Sequence, residues 1–134
     1  MNTAEIIAFL RARGNPRNIE GQQRYGIRSA AEQLGLAAPV LRAIAREHRR
    51  EHALALALWD SGIHDARVLG TLIADPRQIT RPQAERWVRD CDNWALTDAL
   101  AFLLDRTGFA ELKAHAWSAR PAEFVKRTGF ALMA

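Results

Sequence analysis

The sequence predicts an all-α fold, an α-solenoid of antiparallel helix pairs forming a single domain over residues 1–134. Three observations lead there. Sustained period-2 alternation is missing and β-branched residues are few, so strands have no signal. Apolar residues instead recur at helical spacing between Gly, Pro, Asn and Asp breakers. A weak internal repeat also aligns three segments that begin at Arg67, Asp98 and Arg127, at offsets of 31 and 29 residues. Each starts with a charge and has Leu five positions later. The preceding helix of each pair carries Trp59, Trp87 or Trp117. Helix pairs stacked at near-constant period form a solenoid with a concave face, and in this register Arg67, Asp98 and Arg127 line one strip of it.

The elements follow in order. Thr3 to Arg13 is a first helix, with Ile6, Ile7, Phe9 and Leu10 apolar and Gly14 as C-cap. Asn15 to Gly26 reads as a loop, and Ser29 to Leu34 as a short helix stopped by Gly35. Pro39 opens a helix with Leu41, Ile44 and Ala45 inward. Glu51 to Trp59, almost all Ala and Leu, is a buried helix broken by Gly62. The next runs from Ile63 to Ala74, before Asp75-Pro76. Thr80 caps a helix with Pro82 in its first turn, and Asp92 or Asn93 caps the one carrying Trp94 and Asp98. Gly108 precedes Phe109 to Trp117, and a last helix starts near Arg120. Its apolar end, Phe130 to Ala134, has no stop signal, as expected where a helical array continues or where a second copy covers the exposed C-terminal helix as a homo-oligomer.

Composition bounds the function. A chain of 134 residues with 49% hydrophobic residues supports one modest core. No apolar run is long enough to cross a membrane, and the N-terminus has no signal-peptide pattern. Cys91 is the single cysteine; no internal disulfide can form, and a reducing cytoplasm is the expected compartment. It falls on the stripe Ala84, Trp87, Val88, Cys91, where a buried, inert thiol belongs. Net charge is +4, and Arg outnumbers Lys by 17 to 2, which tilts the expected partner towards phosphate and nucleic acid.

Trp94 and Asp98 carry the strongest chemical signal. Four residues apart, they share a helix face beside the apolar stripe Leu96, Ala99, Leu100 and Leu103. A carboxylate deep in an apolar helix is costly, and an aromatic face beside a carboxylate suits the stabilisation of a developing cation. The plainer reading is an Asp in an inter-helix ion pair and a core Trp. Arg127 either holds a phosphate bidentately or pairs with a carboxylate on the neighbouring helix. Arg67 either faces DNA or pairs with Asp98 or Asp65. Arg42, Arg46, Arg49 and Arg50 cluster near one helix end, as a solvated face or as contacts to DNA phosphate, Arg42 and Arg46 foremost. Arg81, Arg86 and Arg89 populate another helix, where Glu85 and Arg89 are an ordinary i, i+4 pair.

Several stretches together resemble a known family: Tyr25-Gly26-Ile27, Leu41-Arg42-Ala43-Ile44-Ala45, Leu58-Trp59-Asp60-Ser61-Gly62-Ile63-His64-Asp65-Ala66-Arg67, Trp87-Val88-Arg89-Asp90, Asn93-Trp94 with Asp98, and Phe124-Val125-Lys126-Arg127. In order and spacing they are similar to the HEAT-like-repeat DNA alkylation repair enzymes, the AlkD-type DNA glycosylases. The resemblance implies an enzyme that excises cationic N3- and N7-methylated purines from double-stranded DNA, with no metal and no cofactor. It implies catalytic roles for Asp98 and Trp94 and DNA contact by Arg127. Two departures stand out. Ala95 occupies a position that is commonly Asp in the family, and family members continue for several further helices, so the resemblance implies a chain incomplete at its C-terminus.

The segment His48-Arg49-Arg50-Glu51-His52 matches an inverted zinc-protease pattern, but it falls at a helix junction with two arginines inside it, against a metal reading. His64, just after Gly62, reads as a helix-start residue. Two further functions fit the pattern: a non-catalytic DNA-binding module and a protein-interaction scaffold. In the scaffold, Arg67, Asp98 and Arg127 would be tied up in mutual ion pairs.

Overall fold

The computed structural model describes all residues, Met1–Ala134, and is all-α, as the sequence predicts. Its nine helices are α1 (Thr3–Ala12), α2 (Pro16–Arg24), α3 (Ala38–Glu47), α4 (His52–Asp60), α5 (His64–Ile73), α6 (Arg81–Asp90), α7 (Trp94–Leu104), α8 (Ala110–Ser118) and α9 (Glu123–Met133). They gather into two compact units, Met1–Asp75 and Pro76–Ala134. No helix is long and apolar enough to cross a membrane.

In the first unit α4 packs on α5, α3 packs on α5, and α1 lies against both members of the α4–α5 pair. The turn between α4 and α5 is made by Gly62 in a left-handed conformation. In the second unit α8 packs on α9, and α7 and α6 both contact α9. Trp59, Trp87 and Trp117, the repeat's three tryptophans, are fully buried in α4, α6 and α8. Each removes on the order of 200 Å² from water, a contribution of about 5 kcal/mol that no surface ion pair approaches.

Pairing is closest at α8 and α9. A Cβ on Gly129 would lie 2.2 Å from the backbone nitrogen of Ser118. Neither backbone can yield without parting the helices, so Gly129→Ala is expected to cost about 2 kcal/mol or more. Urea denaturation checks this; an unchanged midpoint would contradict the tight crossing.

Two segments differ from the sequence's reading. Residues 16–24, read as a loop, form α2. Asn15 accepts hydrogen bonds from the Arg17 and Asn18 N–H groups, Pro16 opens the first turn, and Arg24 pairs with Glu20 at 2.9 Å. This helix buries no residue, so hydrophobic periodicity could not reveal it. Residues 29–34, read as a short helix, are instead non-helical. The Ser29 hydroxyl accepts the Ala31 N–H, Glu32 forms an isolated parallel bridge with Ile63, and Arg11 pairs with the Glu32 carboxylate. Gly35 follows with φ +78°, where a Cβ would lie 2.4 Å from the Asn15 carbonyl oxygen.

The latch on this segment is Asp65. Buried in the first turn of α5, its carboxylate accepts the N–H groups of Leu34 at 2.7 Å and Leu36 at 2.9 Å. Those amides find their acceptor about thirty residues away, which makes an extended path better than a helical one. Asp65→Ala would strand both donors and is expected to cost about 2–3 kcal/mol. Denaturant unfolding together with amide exchange at Leu34 and Leu36 tests it; retained protection at both would remove the latch role.

The second unit has its own polar anchor, partly shielded from solvent. The Glu85 carboxylate accepts from Lys113 at 2.8 Å, from the Trp117 indole N–H at 3.0 Å, and from two Arg120 nitrogens at 2.8 and 3.1 Å. The i, i+4 partner Arg89 is 3.9 Å away and more exposed. Glu85 therefore keeps the predicted pair with Arg89 but acts mainly as the clamp that ties α6 to α8 and to Arg120 just beyond it.

Candidate functional site

The start of α7 is set by Asn93. Its backbone is extended, and its side-chain oxygen accepts the Leu96 N–H at 3.0 Å. The helix then buries Leu96, Thr97, Leu100, Ala101, Leu103 and Leu104. The opposite face keeps Trp94, Asp98 and Phe102, successive i+4 neighbours, in contact with solvent. Trp94 is 38% exposed and is the least buried of the four tryptophans. Asp98, placed by the sequence beside the apolar stripe, was expected to be buried in an apolar helix; its side chain is 45% exposed instead. The stripe turns away from it, so this carboxylate carries no large burial penalty.

Arg127 comes to Asp98 from α9. Its Nε donates to Oδ1 at 2.9 Å and its NH2 group to Oδ2 at 2.8 Å, a two-point fork matched to a carboxylate. The hydrogen bond to Asp98 raises the Arg127 pKa above its ordinary value, with partial burial opposing and the nearby Asp98 and Glu123 charges assisting. Two of the three charges aligned by the internal repeat thus meet, 29 residues apart. Both side chains are nearly half exposed, so their pair contributes about 1 kcal/mol or less.

The α7–α9 register identifies two residues that the sequence reading passed over. Asp98 faces Arg127, and two turns further along, at the C-cap of α7, Asp105 shares a cavity of about 530 Å³ with Leu132 and Met133. The helices therefore run parallel, and Phe102 and Phe130 fall between these contacts. They are 75% and 57% exposed, and Arg106 lies 5.5 Å over the Phe102 ring. The same i+4 step that relates Trp94 to Asp98 leads on to Phe102, and that spacing was the available signal.

The remaining arginines divide. Arg67 on α5 donates from Nε to the Trp59 carbonyl at 3.1 Å and lies 5.4 Å from the centre of that ring. Its partner is thus the neighbouring helix rather than Asp65, whose oxygens serve Leu34 and Leu36. Arg42 and Arg46 are exposed on α3. The two histidines of the zinc-like pattern have separate partners: His48 Nδ1 lies 2.5 Å from Glu51, and His52 Nδ1 accepts the Asp75 N–H at 3.2 Å. Cys91 is buried with its thiol directed to the Trp87 carbonyl, as its position on the stripe predicts.

Residues 6–134 match the DNA alkylation repair enzyme family. Among solved structures the chain is similar, at 24% identity and a TM-score of 0.88, to a protein reported as a new family related to the HEAT-like repeat DNA glycosylases with affinity for branched DNA structures. The likeness covers 99% of this chain and 56% of that one, so the chain spans about half the length of that relative. It establishes the fold as one of HEAT-like helical repeats. No curated protein matches the chain.

Proposed function

Because the chain belongs to the DNA alkylation repair enzyme family, we propose that it is a DNA glycosylase hydrolysing the N-glycosidic bond of alkylated, cationic bases such as N3- and N7-methylpurines in double-stranded DNA. The observation that carries this reading is the solvent-facing row on α7, where an accessible carboxylate sits one turn from an accessible indole. An alkylated purine carries its own positive charge and leaves as a neutral base, taking the bond's electron pair. Little acid catalysis is then needed, and the barrier lies in the charge that appears on the sugar. Asp98 stabilises that charge electrostatically and orients the water whose oxygen bonds to C1′, the water's proton passing to solvent. Trp94 adds cation–π attraction of about 0.5–2 kcal/mol.

In the free protein both Asp98 oxygens are engaged by Arg127. A pair worth about 1 kcal/mol or less opens readily, and a DNA phosphate beside the lesion is an equally good acceptor for the Arg127 fork. DNA binding would then transfer the guanidinium to phosphate and leave Asp98 to the sugar.

The same bidentate pair favours a second reading, a DNA-binding module in which Asp98 and Arg127 are structural. The relative with affinity for branched DNA structures agrees with that alternative. The test is incubation of the chain with an N-methylpurine duplex and chromatography of the supernatant. Free methylated base with matching abasic sites supports the glycosylase; binding of duplex or branched DNA without base release supports the module.

A further inference from the structure

On the first unit, Arg42 and Arg46 project from α3 one turn apart, and Arg49 follows just beyond its end. With Ala45 and Leu72 of α5 these three arginines line a cavity of about 250 Å³. No side chain pairs with any of the three guanidiniums. Glu47, the one carboxylate of α3, lines a different groove with Phe9 and Arg13. A helix C-terminus favours one or two cations in its last turn, which accounts for Arg46 and Arg49 but not for Arg42 in mid-helix. Three unneutralised like charges around a partly apolar hollow form a site complementary to an anion with several charges.

Geometry narrows that anion. Arg42 and Arg46 stand about 6 Å apart along the α3 axis, with Arg49 just past the helix end, while one strand of duplex DNA presents a phosphate every ~3.4 Å of rise. We propose that Arg42, Arg46 and Arg49 form a row that grips successive backbone phosphates of one DNA strand, whatever its sequence and whether or not it is alkylated. The proposal rests on DNA being the partner, but not on base release. Guanidinium forks suit phosphate oxygens, and the apolar floor from Ala45 and Leu72 lowers the local dielectric, strengthening the contact.

The experiment measures binding of the full chain to an unmodified duplex between about 50 and 200 mM salt. Each phosphate contact contributes about 0.9 to the slope of log affinity against log salt. Replacing all three residues together (R42Q, R46Q and R49Q) is expected to lower that slope by about 2–3, and each single change by about 1. The corresponding Arg→Lys triple, which keeps the charges, should retain most of it. All three side chains are exposed, so the melting temperature serves as a control, and the single variants decide the matter if the triple is unstable. Parallel weakening on methylated and unmethylated duplex supports the row. An unchanged slope in the Gln variants overturns it. So does absence of salt-dependent duplex binding by the wild type, even if inorganic pyrophosphate binds, because that result marks a small-anion site. Loss of slope in the Gln variants with no base release from a methylated duplex would leave the phosphate row standing and defeat the glycosylase.

Discussion

Glu85→Ala is expected to destabilise the Pro76–Ala134 unit by about 3 kcal/mol, the largest stability effect of any single change considered. Truncation leaves Lys113, Arg120 and the Trp117 indole without their shared acceptor. Burial alone would raise the Glu85 pKa, yet hydrogen bonds from Arg120, Lys113 and Trp117 outweigh it and bring the value from 4.5 down to about 2. The direction of linkage follows. A carboxyl that loses its proton more readily when folded stabilises the fold fully above its unfolded pKa. That stability fades as pH drops from about 4.5 through 2. Glu85→Gln has no such titration. Urea unfolding followed by tryptophan fluorescence should show wild type and Glu85→Gln far apart at pH 6 and converging towards pH 2. A constant gap across that range would mean that the charge of Glu85 is not what holds α6 to α8.

Asp98→Asn is expected to lower release of methylated purines by about a hundredfold or more, while changing stability by less than about 1 kcal/mol. The contrast comes from exposure. A half-exposed ion pair contributes little to folding, whereas a carboxylate facing a developing cation in a closed complex can contribute several kcal/mol. Asparagine keeps the shape and still offers an oxygen to Arg127 but cannot offset positive charge. Release kinetics and a thermal melt on the same preparation separate the two roles. Equal release by both proteins would remove Asp98 from the chemistry, and a large drop in melting temperature would make it a structural residue.

Helices α3 to α9 were legible because each has local signals. Pro39, Thr80 and Asn93 start helices, Gly62 turns the chain, and apolar residues recur at three and four, as in the buried Leu41, Ile44 and Ala45. What the sequence did not show around residues 29–36 and Glu85 has one cause. Residues 29–36 are decided by Asp65, and Glu85 by partners 28 to 35 positions away; no local window contains those acceptors and donors. Residues 16–24 fail differently, since a capped polar helix that buries nothing leaves no periodic trace. At the candidate site the face shared by Trp94 and Asp98 was readable from spacing, and the repeat offset brought Arg127 into register with Asp98. The exposure of Asp98 was not readable, because Ala99 and Leu100 beside it suggest burial while the packing of α9 leaves its face open.

The most direct test of the glycosylase reading is single-turnover release of methylated base from a defined N-methylpurine duplex, with enzyme in excess and at a concentration where binding is complete. The proposed chemistry predicts release well above spontaneous depurination, abasic sites in equal number to the free base, and a rate that collapses in Asp98→Asn. A wild-type rate equal to spontaneous loss, with the duplex fully bound, would contradict it and leave this chain as a DNA-binding repeat protein whose Asp98–Arg127 pair serves the fold.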